Sequence, residues 1–237
     1  MMPEPPILAE DLLLLLFQPD AEERNTDVMA GQSTLPHALA GAVLADLGLG
    51  AHVRIIPGRG GAKRVEAVVQ RPPADDILLF AWDFLAVRPR EVHAAIAAIG
   101  PDLRSPLLDR LVRRGDIHRS VRTALGVIDV EVLVDGGTGR RAALLSAVRA
   151  VLVDGAEPQP RVAALAALLS GSGTLAQFGP GIPWDAAVVA RAKTLEHESW
   201  GATAAAEAIA RTVTAAIVSN VVVAASVLPE PSGPPPA

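Results

Sequence analysis

Residues Leu103 to Arg122 read LRSPLLDRLVRRGDIHRSVR, and this stretch decides between two folds. Leu103, Leu107, Leu108 and Leu111 recur at three- and four-residue spacings, which predicts an amphipathic helix ended by Gly115. A strand over Ile117–Arg122 and a second over Leu125–Val134 would follow as a ribbon. Arg104, Arg110, Arg113, Arg114, Arg119 and Arg122 oppose Asp109 and Asp116, so the stretch carries six minus two, or +4. A basic helix followed by a ribbon fits a winged helix that places residues 103–122 in a DNA groove. The same charge fits the phosphates of an anionic lipid surface, or simply a solvated helix face. Pro106 lies inside the supposed recognition helix, and the whole chain is acidic at −5. Both facts argue against nucleic acid.

Working outward, the composition favours packed helices. Of 237 residues 43 are Ala, only seven are aromatic, and half are hydrophobic. The absence of Cys excludes a disulfide scaffold, a thiolate zinc site and a thiol nucleophile. Upstream, Leu8–Phe17 predicts a short buried helix. Thr34 is placed to cap a second helix whose face is Leu35, Leu39, Val43, Leu44 and Leu47. Ala51–Ile56 and Arg64–Gln70 predict a hairpin around Pro57–Gly61, and Asp75-Asp76 open a third helix through Phe84 and Leu85. A further helix runs through Val92, Ile96 and Ile99.

Downstream, helices are expected over Arg140–Val153, Arg161–Ser170, Trp184–His197 and Thr203–Leu228. The uncharged run Thr212–Leu228 is shorter than the ~20 residues of a membrane span and holds five polar residues, which predicts a buried core helix. The expected fold is therefore mainly α: one compact domain over residues 8–228, with a buried Ala-rich central helix bundle and one or two β-hairpins. Residues 1–7 are a flexible lead, and 229–237 a disordered Pro-rich tail.

Familiar chemical motifs fail on spacing. Gly58–Lys63 is rich in glycine but lacks the closing Gly-Lys-Ser/Thr of a phosphate loop, and a strand follows it. The five histidines form no ligand pair on one helix, so no metal or cofactor is expected. Adjacent Asp75 and Asp76 point about 100° apart on a helix, which suits a helix start better than a shared proton. Gly171-Ser172-Gly173 lies in a loop, not a nucleophile elbow.

Four blocks in order carry a family resemblance. Leu8-Ala9-Glu10-Asp11-Leu12-Leu13-Leu14-Leu15 opens it, and Ala38–Leu47 resembles a Leu-x-Gly-x-x-Leu-x-(Asp/Glu)-Leu helix. Asp76-Ile77-Leu78-Leu79 and Leu107–Gly115 follow, the latter similar to an Arg-Leu-Val-x-(Lys/Arg)-Gly helix end. Over roughly residues 8–227 the chain resembles the Golgi phosphoprotein 3 (GPP34) family, in the manner of its bacterial, actinobacterial-type members.

The resemblance implies a non-enzymatic peripheral membrane adaptor. Eukaryotic members bind phosphatidylinositol 4-phosphate and the cytoplasmic tails of membrane enzymes. Partners here would be anionic phospholipid headgroups or such tails, or a second copy of the chain through the ribbon Ala51–Gln70. Its place would be cytoplasmic, peripheral on the inner face of the membrane. The local charge offers Arg104, Arg110, Arg113, Arg114, Arg119 and Arg122 to anionic lipid, and the resemblance implies a membrane-contacting hairpin at Leu125, Val127 and Ile128. The family's lipid pocket takes a Trp and three basic residues. Counting without gaps places these at Gly31, Ala40, Pro101 and Arg104, so only Arg104 keeps its charge. With roughly 1.5–3 kcal/mol per bond to a charged group, a pocket so altered loses most of its affinity.

Overall fold

The run LAEDLLLLL folds as α1 (Leu8–Leu16), and every one of its residues is buried. Its first turn is closed by main-chain bonds from Glu10 and Asp11 to the Ile7 carbonyl. Its first amide, Leu8 N–H, donates to Asp46 Oδ2 of the next helix at 2.7 Å. The far end is closed by Arg141 Nε, which donates to the Phe17 carbonyl. A donor and a cation there complement the negative end of the helix.

α2 (Leu35–Leu49) packs against α1 and is buried nearly all round, not along the single face expected from its leucines. Gly41 makes this possible. A Cβ there would lie 2.9 Å from Val213 Cγ1 and 3.2 Å from Leu168 Cδ2, so two neighbouring helices approach the α2 backbone directly. Thr34 sits at the start of α2, but its hydroxyl does not cap the helix. It donates toward the carbonyls of Gly31 and Ser172 instead, tying α2 to the end of the helix over Pro160–Gly171.

The structure is a computed structural model that describes residues 5–19, 29–124, 128–197 and 212–219, with backbone alone at 122–124 and 128–131. After α2 come β1 (Val53–Pro57), β2 (Lys63–Ala67), α3 (Asp76–Val87), β3 (Arg90–Glu91) and α4 (Val92–Ile99). Next are α5 (Arg104–Arg113), β4 (Ile117–Ala124) and β5 (Ile128–Asp135), then α6 (Arg140–Leu152), α7 (Pro160–Gly171) and α8 (Ala186–His197). Residues 212–219 are helical and form α9. The fold is mainly helical, with two small antiparallel sheets.

β1 and β2 pair in the register Val53↔Ala67 to Pro57↔Lys63. The short β3, absent from the sequence reading, adds a third strand with Arg64↔Glu91 and Val65↔Arg90. β4 and β5 pair from Ile117↔Asp135 to Ala124↔Ile128. The tip of this hairpin, with Leu125 and Val127, lies outside the described residues, as does the side chain of Ile128. Of the expected final helix Thr203–Leu228, only 212–219 is described; Val213, Ala216 and Ile217 in it are buried. No described helix is long and apolar enough to cross a membrane.

Asp75 caps α3 as its position predicts. Its Oδ1 accepts from the amides of Ile77 at 2.9 Å and Leu78 at 3.0 Å, which leaves Oδ2 free for another partner. A turn at Gly100–Asp102 joins α4 to α5 and presses against the first turn of α2. Gly100 permits this, because a Cβ there would stand 2.5 Å from the Pro36 carbonyl oxygen. That oxygen is backbone and has little room to yield. Gly100→Ala should therefore lower stability by about 1–3 kcal/mol, read from urea midpoints at an unchanged slope. An unchanged midpoint would contradict the close approach.

Candidate functional site

Two consecutive carboxylates in α1, Glu10 and Asp11, are 0% and 3% exposed. Adjacent helix positions point about 100° apart, so each reaches a different set of arginines. Glu10 Oε1 accepts from Arg110 Nη1 at 3.1 Å, and Oε2 from Arg114 Nε at 2.7 Å. Arg110 also bonds the free Oδ2 of Asp75 at 2.5 Å and reaches Asp76 with its other terminal nitrogen. The cap of α3 thus shares an arginine with the first turn of α1.

Asp11 faces the other way. It accepts from Arg140 Nη2, and from Arg161 through Nε at 2.9 Å and Nη2 at 2.6 Å. Arg140 continues to Asp116, which also accepts from the Thr138 hydroxyl at 2.7 Å. Arg161 continues to the Pro6 carbonyl and, at 3.4 Å, to Asp46. Six acids (Glu10, Asp11, Asp46, Asp75, Asp76, Asp116) meet four arginines (Arg110, Arg114, Arg140, Arg161), leaving a formal −2. The network joins α1 and α2 to the starts of α3, α6 and α7 and to the last turn of α5.

Burial opposes the charge of Arg110, but the bonds and field of Asp75 and Glu10 outweigh it and raise its pKa. Arg140 is raised in the same way, against burial, by Asp11 and Asp116. Asp46 behaves differently. Its desolvation exceeds the help from Arg161 and the Leu8 amide, and its pKa is raised above the ordinary 3.8. These carboxylates are committed to arginines and main-chain amides, an arrangement suited to fixing helices rather than moving protons. No group of three metal-ligating side chains occurs among the described residues.

The arginines picked out from sequence therefore divide. Arg110 and Arg114 turn inward onto Glu10, Arg110 being only 8% exposed. Arg119 is exposed and bonded to Asp109 at 2.9 Å. Arg104 and Arg113 are exposed and form no ion pair among the described residues. Arg122 pairs through its backbone with Val130, and its side chain is not described. Of the counted pocket positions, Ala40 is fully buried within α2. Gly31 adopts a positive φ, and a Cβ there would come within 2.5 Å of a Thr174 methyl. Pro101 lies in the turn beside the start of α2.

Glu10, Asp11, Arg140 and Arg161 were missed as site residues, though the sequence held a signal. Two carboxylates in an otherwise apolar helix are costly to bury unless each is paired. Arg140 and Arg161 stand in the first turns of their helices, where the helix dipole disfavours a cation. An external carboxylate is the natural reason for both.

The family model described as Golgi phosphoprotein 3 (GPP34) matches residues 8–212. No curated protein shows significant similarity to the chain.

Removing one member of a buried charge pair leaves the other unpaired. Glu10→Ala should accordingly lower unfolding stability by about 3–5 kcal/mol, and a loss under about 1 kcal/mol would contradict the network. The raised pKa of Asp46 sets a second expectation. As pH climbs past 3.8 the unfolded chain ionises this group first, so the folded state loses stability until the raised folded pKa is passed. Asn at this position can still accept from Leu8 N–H but carries no charge. The stability of the natural chain relative to Asp46→Asn should fall as pH rises through that window and then level off. A difference that does not vary with pH would refute this.

Proposed function

Because the chain belongs to the Golgi phosphoprotein 3 (GPP34) family, we propose that it is a non-enzymatic peripheral adaptor that docks on anionic phospholipid headgroups. Its charge acts in this without the family's own headgroup pocket of a Trp and three basic residues. The observation that carries the reading is the division of the basic segment. Arg110 and Arg114 are held inside by Glu10, while Arg104, Arg113 and Arg119 stand exposed at the two ends of α5 and on β4. Each exposed basic residue near a charged membrane contributes about 1 kcal/mol, and salt weakens it. By gapless count the family's first cation and its aromatic fall at Ala40, which is in the core, and at Gly31, which stands against Thr174; both environments support the loss of that pocket. Membrane-protein tails would be presented to the chain once it is docked on the inner face. No observation favours the DNA-binding alternative: Leu107, Arg110 and Leu111 of α5 are buried, and the helix packs on α1.

Co-sedimentation with phosphatidylcholine vesicles, with and without phosphatidylserine, tests this. Binding should require the anionic lipid, weaken as salt rises, and fall about tenfold or more in Arg104→Glu/Arg113→Glu. No binding to anionic vesicles even at low salt would contradict the membrane reading. A preference for phosphatidylinositol 4-phosphate that Arg104→Glu alone removes would contradict the loss of the specific pocket.

A further inference from the structure

A hollow of about 400 Å³ lies between the β1–β2 hairpin and the α3–α4 connection, lined by Arg59, Arg64, Arg88, Pro89, Arg90, Glu91 and Ala94. Four arginines against one glutamate leave +3 on its walls, in a chain whose net charge is −5. None of the four forms an ion pair among the described residues, whereas the arginines of the α1 network each hold one or more carboxylates.

The walls are built from parts that fix one another. The glycine-rich turn that fails as a phosphate loop closes through Gly58 N–H to the Ala62 carbonyl at 2.7 Å, and this turn carries Arg59 to the rim. Arg64 on β2 donates through Nη2 to the Pro89 carbonyl, which ties the hairpin to the Arg88-Pro89-Arg90 segment. Arg90 stacks on Phe84, its guanidinium carbon 4.4 Å from the ring centroid. Its Nε is buried and has no hydrogen-bond partner. A buried donor on a cation is costly to leave unmet, and here it stands in the wall of an arginine-lined hollow.

The geometry points to a site for a phosphate-bearing ligand of small size, a phosphate monoester or diphosphate, gripped by Arg59, Arg64, Arg88 and Arg90. Guanidinium groups match phosphate oxygens in a planar, two-pronged manner, and several converging on one space favour a dianion over a single negative charge. The volume suits a phosphorylated headgroup or small metabolite. The site is distinct from α5 and does not depend on the docking surface proposed above. The ligand could be a lipid headgroup or a free phosphate ester, and the two sources separate experimentally.

The test uses the full chain in two arms at low salt: calorimetric titration with soluble inositol 1,4-bisphosphate, and co-sedimentation with phosphatidylcholine vesicles containing phosphatidylinositol 4-phosphate. Arg59 and Arg88 are exposed, so Arg59→Gln/Arg88→Gln should keep the fold, checked by thermal melting. This variant should lose about tenfold or more in affinity, while Arg104→Glu/Arg113→Glu leaves the soluble probe's affinity unchanged. Binding of the soluble probe that depends on Arg59 and Arg88 supports the site with a free ester as ligand. Binding confined to vesicles but with the same dependence supports it with a lipid headgroup. Absence of binding in both arms, or binding indifferent to Arg59 and Arg88, overturns it. Arg90→Lys gives an independent check, because it keeps the charge and loses the fork; unchanged affinity in that variant also overturns the proposal.

Discussion

Two ionised side chains at consecutive positions of a fully buried helix are the constraint on which this structure depends. α1 supplies apolar surface on every side, and that surface can be buried only if Glu10 and Asp11 are matched where they lie. Four arginines from three other helices meet the demand, and each brings its own element with it. Arg110 and Arg114 bring the last turn of α5, Arg140 the first turn of α6, and Arg161 the first turn of α7. Asp75 then uses one oxygen to cap α3 and the other to hold Arg110, so even a local helix start is coupled to α1.

The same constraint decides what remains for the surface. A basic stretch of six arginines reads from sequence as one electropositive patch. In the folded chain Arg110 and Arg114 are turned inward and Arg119 is paired with Asp109, so the positive charge left outside along α5 and β4 is sparse. The denser unpaired charge lies elsewhere, at the β1–β2 hairpin and the α3–α4 connection. Nothing in the local composition of residues 103–122 could show this. It follows from a pairing that spans 100 residues of chain.

Much of the fold was legible because it is locally encoded. Gly115 ends α5 with a positive φ, Asp75 caps α3, and alternating apolar residues announce both hairpins. What was not legible depends on distant partners. β3 has only two residues and exists because β2 offers it an edge. Thr34 prefers two carbonyls of neighbouring segments to the helix it precedes. α2 is buried nearly all round because Gly41 admits two other helices, which a reading of its leucines alone cannot supply. In the basic stretch, the charge of residues 103–122 was legible, and the burial of Arg110 within it was not. The signal for that burial lay in α1, where an acidic pair interrupts a run of leucines.

The central claim is that Glu10 and Arg110 are energetically joined and that this junction holds α5 against α1. A double-mutant cycle of Glu10→Gln and Arg110→Met, read by urea unfolding, measures that junction directly. The account predicts a coupling energy of about 2–3 kcal/mol, the upper part of the range found for residues in contact within one charged network. Additive effects of the two substitutions, with coupling near zero, would contradict it.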